Sequence, residues 1–332
     1  MAFLMIPPAG ASAFLAAAGW GDARVDPLAG DASFRRYFRV VEDRRTAVLM
    51  DAPPPHEDPR PFIHVAEYLT GLGLCAPAIL HRDLDQGLLL IQDFGGNRMR
   101  EYVDEHIDQE LPIYRGVVDV LIELHQHHPA AALTPHGLDQ WLDEVELFTQ
   151  WYCPAVGITV DHDSFAAAWR TVLGPVEDQG QTVTELRDFH AENIMLIDGQ
   201  AGLSRFGLLD FQDARVGHPA YDLVSMLQDA RRDVTPSVER ELLKYYSAQT
   251  ERGEAFERAY WALAAQRNTR ILGVFTRLWK RDDKPHYTSF QPRMWGLLER
   301  DLAQPGLEPL RDWFDFNVPP EARTAPWQGF GL

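Results

Sequence analysis

The sequence predicts an α+β fold in which a small antiparallel-sheet lobe precedes a larger, mainly helical one. Three observations carry this prediction. Strand-type runs fill most of the first 95 residues and are interrupted by one amphipathic helix. From residue 97 onward, apolar residues at helical spacing dominate. Within that helical part, the stretch 184–226 supplies short strands and turns, and it carries the polar residues of greatest chemical interest. A chain of 332 residues with 45% hydrophobic content can fill the cores of two lobes, divided as residues 1–95 and 96–332.

Taken in order, residues 7–19 read as a short Ala-rich helix ended by Gly19. Residues 34–40 (FRRYFRV) and 46–50 (TAVLM) are aromatic and β-branched enough for two strands, joined by the polar hairpin Glu42-Asp43-Arg44-Arg45. Just before them, Gly30 with the small Ala32 and Ser33 offers a tight turn whose amides can face a phosphate. A plain hairpin turn is the alternative reading. After the Pro-rich break at 52–56, residues 58–72 form a helix with Phe62, Val65, Ala66 and Leu69 on one face. Strands at 78–81 and 87–92 follow, and Gln92-Asp93-Phe94-Gly95-Gly96 makes the turn that closes the first lobe. Helices are then expected at 111–128, 138–152, 163–176, 220–230, 238–252, 255–280 and 291–302. Short strands are expected at 193–197 and 206–209, and an irregular tail over the last thirty residues.

The formal net charge is −18, from 31 basic and 49 acidic residues. That balance argues against a broad nucleic-acid or anionic-membrane surface. It leaves room for a phosphate ligand, which needs only local positive charge and a divalent cation. No apolar run approaches the ~18 residues of a membrane span, and the first twenty residues lack a basic n-region. A cytoplasmic location is therefore expected. Cys75 and Cys153 have neither disulfide nor metal-site spacing. His125, His127 and His128 read as a solvated helix end.

The chemistry concentrates at Asp188, Asn193 five positions later, and Asp210 at the end of an apolar run. Phosphoryl transfer needs an aligned acceptor hydroxyl, a base near it, and a metal ion that neutralises the phosphates. A loop carboxylate suits the base, which is Asp188. A side-chain amide and a second carboxylate are hard oxygen ligands suited to Mg2+, which are Asn193 and Asp210. The protein-kinase pattern H-R-D-x-x-x-x-N followed by D-F-G has this spacing. Leu186-Arg187-Asp188 and Asn193 keep it, and Asp210-Phe211-Gln212 stands in the D-F-G place. The bland alternative is a polar turn followed by an unrelated Asp.

Asp188-Phe189-His190-Ala191-Glu192-Asn193 resembles, from the Asp on, the H-G-D-L-H-x-x-N motif of the aminoglycoside phosphotransferase and choline kinase superfamily. Gly217-His218-Pro219-Ala220-Tyr221-Asp222-Leu223 resembles that family's G-x-P-x-Y-D-L. The resemblance implies a protein-kinase-like two-lobe fold, ATP and Mg2+ as cofactors, and a structural role for Asp222 in tying its helix to the catalytic loop. Shorter stretches are similar to the anomeric N-acetylmuramate/N-acetylglucosamine kinases of cell-wall recycling. They are residues 30–39, 48–53, 148–152, 186–190 and Gln266-Arg267-Asn268. This narrower resemblance implies a small amino sugar as acceptor, phosphorylated at its 1-hydroxyl.

Two departures stand out. Leu186 occupies the motif's usual His position, with Arg187 between it and Asp188. The strand at 46–50 has Met50 where kinases carry the V-A-I-K lysine. Arg36, which strand alternation puts with Phe34 and Phe38, is a candidate phosphate contact in its stead, and a surface Arg lying along the sheet is the other reading. Gln92 and Phe94 are candidates for the nucleotide's base edge by position in the fold. His190, Asp213 and Trp151 are candidate acceptor contacts, although an aromatic at a helix end also suits a core. Two further hypotheses remain: the same fold acting on an aminoglycoside, choline or homoserine hydroxyl, and an inactive nucleotide-binding module.

Overall fold

The structure is a computed structural model that describes residues 6–28, 34–180 and 182–324. The chain forms two compact units. One is built from Met1–Glu110 and Glu192–Ala214, the other from Leu111–Ala191 and Arg215–Leu332.

The first unit contains α1 (Ala11–Ala17), β1 (Arg24–Pro27), β2 (Arg36–Glu42), β3 (Arg45–Asp51), α2 (Arg60–Gly71), β4 (Ile79–Asp83), β5 (Leu88–Gln92) and α3 (Met99–Glu105). Its five strands pair antiparallel in the order β1-β2-β3-β5-β4. Strand alternation gives the sheet two different faces. Phe38, Val40, Ala47, Leu49, Leu88 and Leu90 point one way and form a core with Phe14 and Leu15 of α1. Tyr37, Arg39, Val48 and Ile91 point the other way and line a cavity. The second segment of this unit adds a small hairpin, Ile194–Leu196 paired with Phe206–Leu208. The hairpin is joined to the preceding residues by the Leu208 N–H donating to Cys75 O at 2.7 Å and the Leu196 N–H to Asn97 O at 2.8 Å.

The second unit is organised around the helix Glu254–Asp282, whose middle is buried on nearly all sides. Helices Leu138–Leu147, Ala220–Leu227 and Gln291–Leu302 pack on it. The expected helix at 138–152 changes character at its end, where Phe148–Tyr152 is a π-turn. Gly273 sits against this change: a Cβ there would lie 2.4 Å from Leu147 C and 2.6 Å from Phe148 N. The strands Val183–Glu185 and Arg215–Gly217 pair antiparallel. Among the described residues, no helix is long and apolar enough to cross a membrane.

The small antiparallel sheet and the larger helical unit match the predicted fold class. Two local expectations are corrected. The tail is helical at Glu308–Asn317 and Pro320–Thr324. Leu310, Trp313 and Phe314 form its buried stripe, Phe314 packs on Phe148 and Trp295, and Pro309 falls in the first turn, where proline is tolerated. Of the histidines at the end of Glu110–Leu124, His125 and His127 are not simply solvated. His125 Nδ1 lies 2.6 Å from the Tyr246 hydroxyl, and burial, reinforced by the Arg252 charge, pushes its pKa down to about 3. His127 pairs with Glu123 at 3.0 Å.

Candidate active site

In the first unit, the cavity of about 680 Å3 is lined by the β2–β3–β5 face, Phe62 of α2, the turn 92–96, and Asn193 and Asp210 of the second segment. Asn193 Nδ2 lies 3.5 Å from Asp210 Oδ2, and the Leu209 N–H donates to Asn193 O at 2.9 Å. The hairpin therefore carries both proposed ligands to one spot. Gln212 Nε2 donates to Asp210 Oδ1 at 2.8 Å and to Asp213 Oδ2 at 3.1 Å. Asp210 has φ +58°, a left-handed backbone that non-glycine residues adopt at a cost and that recurs at functional sites. Phe211, the next residue, stacks on Phe62 at 4.9 Å between centroids. One carboxylate and one amide are hard donors, and such a set suits Mg2+, which leaves its other positions to water and phosphate oxygens.

Gln92 and Phe94 both line this cavity. The Phe94 ring lies so close to Gly207 that a Cβ there would come within 2.6 Å of it, which explains the glycine. Arg39, which the sequence reading did not single out, lines the same wall. Its Nε is 2.9 Å from Asp93 Oδ2 and its Nη2 donates to Gly95 O at 2.8 Å, fixing the turn. Arg36 points to the opposite face, where it donates to Asp51 from Nε at 2.8 Å and lies over Phe38 at 6.0 Å. Its neighbour Arg35 is the one that reaches Asp210, at 3.6 Å. Met50 is buried at the lysine position. Glu67 on α2 is exposed and pairs with Arg82 at 3.9 Å. Gly30, Ala32 and Ser33 lie outside the described residues.

In the second unit, Asp188 stands on a loop held from several sides. Asp222 Oδ2 accepts the Leu186 N–H at 2.6 Å and Oδ1 the Arg187 N–H at 2.8 Å. Arg187 has φ +68°, which accounts for glycine at this place in the motif it resembles. Its side chain donates to Glu144, and its carbonyl accepts from the Ser225 hydroxyl at 3.1 Å. Ser225 is in turn held by Arg267 Nη2 at 2.8 Å. Gln266 donates to Trp141 O and Glu144, each at 3.2 Å. Asn268 donates to Gln228 Oε1 at 2.7 Å and Asp301 Oδ2 at 2.8 Å. Gln266, through Glu144, and Arg267, through Ser225, thus brace the loop from a buried position.

The electrostatics keep Asp188 ionised. Burial pushes its carboxyl up, but His190 and the guanidiniums of Arg270, Arg267 and Arg187 outweigh burial and hold it below the usual carboxylate range. His190 is buried, with Nε2 3.3 Å from Arg231 Nη1, and burial lowers its pKa. Asp222 moves the other way: burial, then the Glu185 charge, raise it to about 8 despite its two amide donors. Glu144 is pulled well below the carboxylate range by Arg270, His136 and Arg187, against burial. Trp151 is half-buried on the π-turn, beside the buried Tyr152. Asp213 is exposed in the first unit. Neither Glu144 nor Arg267 was visible as a loop support in the sequence, because their partners lie more than forty positions away.

A family model described as "Phosphotransferase enzyme family" matches residues 24–260. The chain is 35% identical to the N-acetylmuramate/N-acetylglucosamine kinase of Caulobacter vibrioides, over 94% of this chain and 97% of that protein. Its fold is similar to a choline/ethanolamine kinase family protein from Mesorhizobium loti, with a TM-score of 0.62 at 16% identity over 92% of this chain and 98% of that one. It is also similar to aminoglycoside phosphotransferase APH(3'')-Id from Streptomyces rimosus in complex with ADP and streptomycin. That match has a TM-score of 0.54 at 17% identity over 78% of this chain and 97% of that one. The chain belongs to the phosphotransferase enzyme family and has its kinase-like fold.

Proposed function

We propose that this phosphotransferase transfers the γ-phosphoryl group of ATP to the anomeric hydroxyl of an amino sugar of the N-acetylmuramate or N-acetylglucosamine type. The observation that carries the reading is the full-length 35% identity to a kinase of that name. The conjunction of Asp188, Asn193 and Asp210 in the family's spacing stands beside it. Asp188 accepts the hydroxyl proton, and its low pKa keeps it as carboxylate at neutral pH. A weak base of this kind suits a hemiacetal hydroxyl, which is more acidic than an ordinary alcohol. Asn193 and Asp210 would hold Mg2+, which when bound neutralises charge on the phosphates. The cavity wall at Gln92 and Phe94 receives the adenine. His190, Trp151 and Asp213 remain proposed acceptor contacts, and a cytoplasmic setting suits a consumer of ATP.

An acceptor panel tests this reading. With Mg·ATP, the wild type should phosphorylate N-acetylmuramate or N-acetylglucosamine, and Asp188→Ala should not. Turnover of kanamycin, choline or homoserine with no turnover of either sugar would overturn the substrate assignment. Nucleotide binding with no transfer to any acceptor would favour an inactive module.

A further inference from the structure

Kinase-type sites place a lysine on the third strand of the sheet to meet the nucleotide phosphates. Here that strand position is Met50, buried and apolar, so the positive charge has to enter from another element. The cations near the cavity differ in how they are committed. Arg39 is held at the 92–96 end by Asp93 and by the carbonyl of Gly95. Arg98, also on the wall, pairs with Glu101 at 3.4 Å. Arg36 lies on the far face of the sheet with Asp51. Arg35 is the one paired with a proposed metal ligand: its Nη2 stands 3.6 Å from Asp210 Oδ1, with only 11% of the side chain exposed.

The strand register explains how one residue can stand in for the other. Met50 pairs directly with Tyr37 across β2 and β3. Tyr37 and Arg39 both line the cavity, and Arg35 sits just before β2, two positions ahead of Tyr37. Two residues of extended chain span about 7 Å, and the Arg35 guanidinium reaches Asp210 on the cavity wall. An arginine side chain can span such an offset. A guanidinium is always charged, and its planar fork matches a pair of phosphate oxygens.

We propose that Arg35 is the nucleotide-phosphate cation of this enzyme, replacing the absent strand lysine and standing beside the metal-ligand carboxylate of Asp210. The inference rests on the phosphotransferase reading given above. It assigns to Arg35 the contact that the sequence alone suggested for Arg36.

The test is calorimetric titration with Mg·ATP and, separately, with adenosine, on the wild type, Arg35→Ala, Arg35→Lys and Arg36→Ala. Arg35→Ala should weaken Mg·ATP at least about 10-fold, as expected for loss of a charge-assisted contact, while adenosine affinity stays unchanged. Arg35→Lys should recover part of the loss. Arg36→Ala should leave the ratio of ATP to adenosine affinity at the wild-type value. Melting temperatures measured in parallel exclude unfolding as the cause of a loss. Wild-type Mg·ATP affinity in Arg35→Ala overturns this inference alone. Failure of the wild type itself to bind Mg·ATP overturns the phosphotransferase reading and this inference with it.

Discussion

The Asp222 carboxyl group accepts the backbone N–H of Arg187 at 2.8 Å, one residue before the proposed base. Its other oxygen takes the Leu186 amide at 2.6 Å. A helix thirty-odd residues downstream thereby fixes the loop that carries Asp188. Because the site is buried, removing the acceptor leaves two amides without partners, each a penalty of about 1–3 kcal/mol.

Asp222→Ala should therefore lower unfolding free energy by about 3 kcal/mol, read as a fall in the urea midpoint. Turnover should fall with it, even under conditions where the variant is folded. Asp222→Asn retains one acceptor and should fall between the two. An unchanged urea midpoint in Asp222→Ala would show that the two hydrogen bonds do not anchor the loop.

Gly273 offers a second stability test, far along the chain from Asp188. Its added Cβ would meet backbone atoms of Leu147 and Phe148 at 2.4–2.6 Å, and backbone cannot swing aside as a side-chain tip does. Gly273→Ala should cost about 2 kcal/mol or more through overpacking, although alanine is the better helix former. Equal or raised stability would mean that the π-turn can move away from the long helix.

Stability should also respond to pH through His136. Burial lowers its pKa, but the Glu185 carboxylate at 2.7 Å and Glu144 at 3.3 Å overturn burial and raise it to about 9. The folded pKa is above the unfolded value of about 6.5. The stabilisation is therefore complete below pH 6.5 and is lost as pH rises toward 9. The difference in melting temperature between the wild type and His136→Gln should shrink over that range. A difference that stays constant would show that His136 is not charged in the folded protein.

The proposed reactive residues stood out because phosphoryl transfer asks for them close together: Asp188, Asn193 and Asp210 fall within one stretch flanked by strand-forming runs. Fold class was legible for a similar reason, since period-2 and helical patterns separate near residue 97. The two adjacent arginines show where legibility stops. Alternation says that Arg35 and Arg36 face opposite ways, but both faces carry aromatics. Only the packing of α1 on Phe38 and Val40 makes the Arg36 face the core side. The loop supports were hidden for a different reason. Glu144 and Arg267 act on partners 43 and 42 positions away, and nothing local distinguishes a buried brace from a surface polar run. The tail was misread because its prolines masked a three-residue apolar stripe, Leu310, Trp313 and Phe314.

The central claim, transfer to an anomeric hydroxyl with Asp188 as base, is tested most directly by proton-coupled phosphorus NMR of the product formed from N-acetylmuramate and Mg·ATP. The predicted spectrum shows a new phosphomonoester coupled to the sugar's anomeric proton with the wild type, and none with Asp188→Asn. A phosphate coupled to the C6 protons, or the same product from Asp188→Asn at wild-type rate, would contradict it.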